Sequence, residues 1–356
     1  MKIIFFIPNL SSGGAERVIS ILANSLVNKK YDVDIVCLQD NVISYPLSDK
    51  VNIVCFDKNL LTCSKKLSFS ILRNYLKNER KANNRIVLIP FLDVCLTRVI
   101  VASFGLNIPI IASERNDPFQ KGSSFLARLK ANIPYWLSTH CVFQTEGARD
   151  YFYKIIRKKS NIIMNPIMMS PDIKWEGQNS KRIISVGRLE SQKNHILLID
   201  AFTHIHNEYP DYILEIYGVG SLKSELQKHI SELSLDSSVK LCGHSSDIHS
   251  LLENSFLFVL SSDYEGMSNA LIEALAVGMP VVTTDHPCGG ARMLVKNDIN
   301  GILVPVRDEI ALAEAIKRVI ENPEFRLSIG NNASEIRQIL SVKQISEKWI
   351  ELIESL

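Results

Sequence analysis

Glu265 and Glu273 stand eight residues apart in the stretch EGMSNALIEA. Ionised carboxylates only accept hydrogen bonds, which suits them to the hydroxyls of a sugar or a ribose. Earlier in the chain, Arg188 and Lys193 belong to a second polar block, Gly187-Arg188-Leu189-Glu190-Ser191-Gln192-Lys193-Asn194. Two cations so close together suit a diphosphate. A site holding both sets would bind a compound that carries hydroxyls and phosphates, and would stabilise charge growing on a departing phosphate. The plain alternative is solvent, because acids are favoured at helix starts anyway and a loop Arg or Lys is commonly hydrated.

The surrounding elements bear on that choice. Residues 256–260 form an apolar run closed by Ser261 and Ser262, and Val281 opens another run after Gly278 and Pro280. The order reads strand, loop, helix, glycine stop, strand. Ser268 or Asn269 can cap the helix, and Gly278 can end it in the left-handed conformation. The first turn of such a helix carries unpaired N–H groups and the positive end of its dipole, and it opens at the carboxyl edge of a parallel sheet. Phosphate binds well there. Residues 182–186 read as a strand too, so Arg188 and Lys193 fall at a neighbouring carboxyl edge, with Asn194 capping the next helix. His195 reads as a helix-start residue, not a catalyst.

At 356 residues the chain is too long for one ordinary core, so two α/β domains are expected. Apolar content of 46% with 22% charged residues excludes a disordered chain. No apolar run approaches the roughly eighteen residues of a membrane span. The short run 3–7, cut off at Pro8, reads as a first buried strand and not as a signal peptide. The seven cysteines show no paired spacing, which fits a reducing cytosol and argues against zinc.

The net charge of +2 conceals an asymmetry: residues 1–165 carry 23 Lys and Arg against 12 Asp and Glu, and the remainder 17 against 26. Basic residues concentrate in 65–85 and again from Lys121 to Lys159. The second set is interleaved with Phe125, Leu126, Leu129, Trp136, Tyr151, Phe152 and Tyr153. That mixture suits an anionic membrane surface, with solvated helix faces as the alternative. It carries no nucleic-acid motif, so no nucleic-acid partner is expected.

Apolar runs alternate with helical patterns throughout, the signature of parallel α/β architecture. Strands are predicted at 3–7, 34–38, 52–56, 86–89, 110–113, 140–143 and 162–164, then at 182–186, 212–217, 239–242, 256–260, 281–284 and 302–304. Residues 166–180, with Pro166, Pro171 and Gly177, read as a linker. The domains are then 1–165 and 181–338, with a closing helical segment at 339–356. In the first domain, Ser11-Ser12-Gly13-Gly14-Ala15-Glu16-Arg17 follows a strand and opens a helix. Gly13 and Gly14 allow close approach of a ligand to the backbone, although the third glycine of the GxGxxG dinucleotide fingerprint is missing. Ser113-Glu114-Arg115-Asn116-Asp117-Pro118 ends another strand in charge. There Glu114 or Asp117 suits an acceptor hydroxyl and Arg115 an anionic acceptor, against surface ion pairing as the alternative. Asp32-Val33-Asp34 looks like a metal clamp but precedes its apolar run, so it reads as structural. No metal or other cofactor is expected.

Together these residues resemble the retaining GT-B glycosyltransferases of family 4. The likeness rests on Gly13-Gly14-Ala15-Glu16-Arg17, on Gly187-Arg188-Leu189 with Gln192-Lys193-Asn194, on Gly218-Val219-Gly220, and on Glu265 and Glu273 followed by Gly278-Met279-Pro280-Val281-Val282. It covers nearly the whole chain. It implies two Rossmann-like doubly wound domains facing a central cleft: the first binds acceptor, the second binds a nucleotide-diphosphate sugar, and the last helix packs back on the first. Arg188 and Lys193 would take the diphosphate, Glu273 the ribose, and Glu265 the sugar ring. Backbone N–H groups of Gly266, Met267, Ser268 and Asn269 would meet sugar and phosphate, the segment Leu241 to His244, with Gly243, would lie near the base, and Gly13 and Gly14 would face the donor. The family's cleft histidine has no counterpart beside Ser113, which leaves Glu114, Arg115 and Asn116 as acceptor candidates. The Ser-Glu-Arg-Asn-Asp-Pro block is similar to that of bacterial members that build O-antigen, capsule or N-linked oligosaccharides on polyprenyl diphosphate.

The resemblance thus implies a cytoplasmic, metal-independent enzyme, peripheral at the inner face of the cell membrane. It would move a hexosyl or N-acetylhexosaminyl group, with retention, from a UDP-sugar to a hydroxyl of a lipid-linked oligosaccharide. Arg188 and Lys193 would serve the leaving group, and Glu265 would position the sugar, with a nucleophile role as the lesser alternative. A UDP-sugar 2-epimerase on the same frame and a non-catalytic nucleotide-sugar binder are the competing readings. A buried salt bridge filling the space between the cations and the helix start would count against all of this.

Overall fold

Each predicted strand overlaps a strand of the computed structural model, which describes residues 1–11, 13–40, 42–122, 124–245 and 247–356. The chain forms two compact units. Unit 1 is Met1–Met168 with Leu340–Leu356, and unit 2 is Met169–Ile339.

In unit 1 the strands are β1 (Lys2–Ile7), β2 (Asp32–Cys37), β3 (Asn52–Cys55), β4 (Ile86–Pro90), β5 (Ile111–Ser113), β6 (His140–Phe143) and β7 (Ser160–Ile162). The order β3-β2-β1-β4 continues as β5-β6-β7 through a bridge between Leu88 and Ile110, and the pairings are parallel. β1 and β4 are almost wholly buried, as their unbroken apolar sequences require of central parallel strands. β7 begins two residues before its apolar content suggests. Ser160 and Asn161 pair with Cys141 and Val142 at the sheet's edge, where polar side chains are tolerated. Asp34 of the Asp32-Val33-Asp34 block is buried and satisfied by Tyr75 (2.6 Å), Asn52 (3.1 Å) and Lys2 (3.0 Å). The helix Val342–Glu354 belongs to unit 1: Trp349 is 1% exposed, with its ring 6.3 Å from that of Phe91, and Ile167 N donates to Leu340 O at 2.8 Å.

Unit 2 holds β8 (Arg182–Val186), β9 (Ile213–Tyr217), β10 (Val239–Gly243), β11 (Leu257–Leu260), β12 (Val281–Thr284) and β13 (Ile302–Val304). They form one parallel sheet in the order β10-β9-β8-β11-β12-β13. The direction of winding reverses between β8 and β11, and sheets of this kind bind ligands beyond the carboxyl ends of the strands at that point. Trp175 Nε1 donates to Ser255 O at 2.7 Å, which docks the preceding connection onto unit 2. Among the described residues no helix is long and apolar enough to cross a membrane.

Candidate active site

Glu265 and Lys193 leave the two strands that flank the reversal, and they meet. Beyond β11 the loop runs into the helix Asn269–Val277. Ser268 caps it, with its Oγ accepting from Leu271 N at 3.4 Å, and Gly278 ends it at φ 84° in the left-handed region. The start of this helix is closely packed: Glu265, Gly266, Met267 and Ser268 are buried, Asn269 is half-buried, and Glu273 is buried one turn further in.

Beyond β8, a short 3-10 turn (Ser191–Lys193) leads to Asn194 in the left-handed conformation, which caps the helix His195–Glu208 through Leu197 N (3.2 Å). Lys193 Nζ donates to Glu265 Oε1, and both side chains are about nine-tenths buried. Glu265 also accepts from Ser262 Oγ (2.9 Å) and Gln192 Nε2 (3.3 Å). Burial opposes ionisation of Glu265, but the Lys193 ammonium and these hydrogen bonds hold its carboxyl below the ordinary value. The sequence reading gave Lys193 and Glu265 separate tasks on separate flanks; the two are instead one buried ion pair. This is the kind of buried salt bridge named above as counting against the reading, and it occupies one N–H of the Lys193 ammonium. An ammonium has three. Arg188 is exposed, with Nη2 donating to Gln192 Oε1 at 3.0 Å. Gly243, at the end of β10, has φ 74° and accepts from Gly218 N at 2.8 Å, while Gly187 N donates to Tyr217 O at 2.9 Å. The carboxyl ends of β8, β9 and β10 are thereby linked by backbone.

Two histidines that sequence reasoning passed over as chemistry are buried in this region. His195 is 2% exposed, and burial next to Lys193 pulls its pKa down to about 4. His286, just beyond β12, is fully buried with its pKa likewise lowered by burial, against the pull of Glu265 and Asp285. The His195 ring faces the backbone of Arg188 and Gly187, while the ring nitrogens of His286 have no hydrogen-bond partner among the described residues. Burial disfavours the charged form of both rings. Gly290 explains how His286 comes so near: a Cβ there would lie 2.1 Å from Gly266 O and 3.2 Å from His286 Cε1, so only glycine lets this turn press on the Glu265 loop. The clue available in sequence was His286 at a strand's carboxyl end, four residues before Gly290.

In unit 1, Gly13 is the N-cap of the helix Gly14–Asn28, with no side-chain cap, and Ser12 lies outside the described residues. The acceptor candidates differ from expectation. Glu114 is 1% exposed and accepts from Tyr135 Oη (2.6 Å), Lys121 Nζ, and the backbone N–H groups of Arg115 and Asn116 (3.1 Å each). Arg115 is buried between the rings of Phe91 (4.1 Å) and Trp349 (5.5 Å), donates to Ser113 Oγ and Asn165 Oδ1, and has its pKa lowered by burial to about 9. Both side chains are buried inside the unit, with Arg115 Nη2 left without a partner among the described residues. Asn116 is exposed.

The family model described as Glycosyl transferases group 1 matches residues 171–336. Across 93% of this chain and of the relative, the chain is 31% identical to N-acetylgalactosamine-N,N'-diacetylbacillosaminyl-diphospho-undecaprenol 4-alpha-N-acetylgalactosaminyltransferase of Campylobacter jejuni. A second enzyme of that organism, which adds an alpha-1,4-N-acetyl-D-galactosaminyl group to a GalNAc-containing PP-undecaprenol glycan, is 29% identical over 99% of this chain and 98% of its own. The amylovoran biosynthesis glycosyltransferase AmsD of Erwinia amylovora is 25% identical over 99% of both. Among solved structures, HepE of Anabaena in complex with UDP and glucose superposes with a TM-score of 0.84 over the full length of both chains at 20% identity, a likeness of fold, and the fold is GT-B. With the switch-point geometry, the family match over unit 2 and a relative 31% identical across 93% of both chains, the chain belongs to the group 1 glycosyltransferases.

Proposed function

We propose that this glycosyltransferase moves a hexosyl or N-acetylhexosaminyl group, with retention, from a UDP-sugar to a hydroxyl of a polyprenyl-diphosphate-linked glycan. The observation that carries the reading is the Lys193–Glu265 pair at the carboxyl edge of unit 2, beside a capped helix start. A lone carboxylate would repel a diphosphate. Paired with Lys193 it becomes a neutral fixture that accepts sugar hydroxyls, while the remaining ammonium donors and Arg188 face the phosphates. In the reaction the bond from the anomeric carbon to the diphosphate oxygen breaks and the acceptor oxygen bonds to that carbon on the same face. The acceptor's proton passes to the departing phosphate oxygen. Glu265 positions the sugar, Glu273 the ribose, the main chain around Gly243 the base, and Gly266 to Asn269 the phosphates. Asn116 is the acceptor contact in unit 1. The names of relatives that act on undecaprenol-linked glycans support the acceptor class, and their alpha linkages support retention.

Membrane attachment rests on the helix Phe125–Leu137. Phe125, Leu126, Leu129, Ile133, Trp136 and Leu137 are all exposed and fall on one face of it, with Lys130 exposed beside them. Lys154, Arg157 and Lys158 are exposed on the neighbouring segment. An apolar stripe with cations alongside fits an anionic lipid surface.

A panel of UDP-, GDP- and ADP-sugars in thermal unfolding tests the donor, since a ligand at a hundred times its Kd adds about 2.7 kcal/mol. UDP-sugars alone are expected to stabilise the protein, and absence of any shift refutes the reading. Without acceptor no epimer is expected. Sedimentation with phosphatidylglycerol vesicles, lost on combined Leu126→Ser and Trp136→Ser substitution, tests the membrane face; equal binding by the variant refutes it.

A further inference from the structure

We infer that Asp263 is a positioning residue for donor binding, acting by fixing the left-handed residue that presents Lys193; this rests on the reading just given. Asn194 sits at φ 45°, ψ 52°, in the left-handed region, which Asn enters more readily than other side-chain-bearing residues but less readily than glycine. Its amide is used at both ends. Oδ1 accepts from Leu197 N at 3.2 Å, and Nδ2 donates to Asp263 Oδ1 at 2.9 Å. Ser261 Oγ lies 3.0 Å from both Lys193 O and Asn194 O, and Asp263 N donates to Gln192 O at 3.0 Å. The whole turn that carries Lys193 is therefore laced to the loop that carries Glu265.

Asp263 must accept from two sides at once. Its Oδ2 takes Arg307 Nε (3.0 Å) and Nη2 (2.8 Å), and Arg307 is itself left-handed at φ 60°. An ionised carboxylate is acceptor-only on both oxygens, so one side chain steadies the loops after β8 and β13 together. Neither Asp263 nor Asn194 touches the donor in this scheme. They decide where the Lys193 ammonium stands relative to Glu265, which lies only two residues beyond Asp263.

The test is a cycle of UDP affinities measured by titration calorimetry on the full chain, with Asp263→Ala, Asn194→Gly and the double variant. Glycine adopts the left-handed conformation without help, so it removes the need for the clamp. Asp263→Ala is expected to weaken UDP binding about tenfold in the natural background and about twofold or less when residue 194 is glycine. Asp263→Asn keeps one acceptor oxygen, enough for Asn194 but not for Arg307 as well, so it should lose less affinity than Asp263→Ala, and its thermal unfolding shows that a folded variant is being compared. Equal losses in both backgrounds, or no loss in either, overturn the inference. If the natural protein binds no UDP, the donor reading falls and this inference with it.

Discussion

Replacing Lys193 with methionine removes the one cation that, among the described residues, is hydrogen-bonded to the Glu265 carboxylate, which is 7% exposed. Glu265 keeps two neutral donors, Ser262 Oγ at 2.9 Å and Gln192 Nε2 at the longer 3.3 Å. Breaking a buried ion pair from one side costs about 3–5 kcal/mol. With two hydrogen bonds surviving, the low end applies, about 3 kcal/mol, or a fall of about 6–12 °C in the transition of a body the size of unit 2. The sign of the pH dependence should also reverse. In the natural protein the Glu265 pKa is lowered, so its contribution to stability is present above the unfolded carboxyl value and lost as pH falls. Without Lys193, burial alone raises that pKa, and the variant should recover stability as pH falls from 7.5 to 5. Adding Glu265→Gln should return stability to within about 1 kcal/mol of the natural protein. Urea unfolding followed by the fluorescence of Trp175, the single tryptophan of unit 2, measures all three. Turnover should drop at least about a hundredfold in the single and double variants alike, because the leaving diphosphate has lost a fixed donor. A loss of less than about 1 kcal/mol with unchanged pH dependence would refute the buried pair. Turnover within tenfold of normal would refute its role in the chemistry.

Three other outcomes follow from the same geometry. His195 is held to about 4, below the ordinary histidine value of 6.5, so the unfolded chain binds more protons between those values. Unit 2 should lose up to about 3 kcal/mol as pH falls from 6.5 to 4, and His195→Phe should flatten that slope in urea titrations at stepped pH. Gly290→Ala drives a Cβ to 2.1 Å from Gly266 O and should weaken UDP binding at least about tenfold by displacing the Glu265 loop, read by calorimetry. Trp349→Ala opens the core of unit 1 and uncovers Arg115, at a cost of about 3–5 kcal/mol. Limited proteolysis should then cut near the Val342–Glu354 helix while UDP affinity stays unchanged.

What could be read from sequence is what is local. Parallel strands buried on both faces must be unbroken apolar runs, and β1, β4 and β11 announce themselves in this way. Ser268 and Gly278 are end signals written within ten residues of one another, and they cap their helix as the sequence suggests. β7 was misplaced by two residues because an edge strand made of Ser160 and Asn161 has no apolar signature. Contacts between distant residues were invisible. Glu114 looked available because Tyr135, which captures it, comes twenty-one residues later. Lys193 and Glu265, seventy-two apart, looked like two tools and not one pair. The burial of Arg115 was equally hidden, because nothing near it in sequence reveals that Trp349 will lie over its guanidinium.

Unit 1 is not one continuous piece of chain: it is begun by Met1–Met168 and finished by Leu340–Leu356, with all of unit 2 made in between. During synthesis, unit 2 can complete its sheet as soon as Ile339 has emerged from the ribosome. The first Rossmann-like body must wait, with Phe91 and Arg115 lacking the indole that covers them, until Trp349 arrives. The exposed stripe of Phe125, Trp136 and their neighbours emerges long before that closure. A nascent chain of this kind leaves apolar surface uncovered, and is most prone to aggregate, in the interval between residue 168 and residue 349.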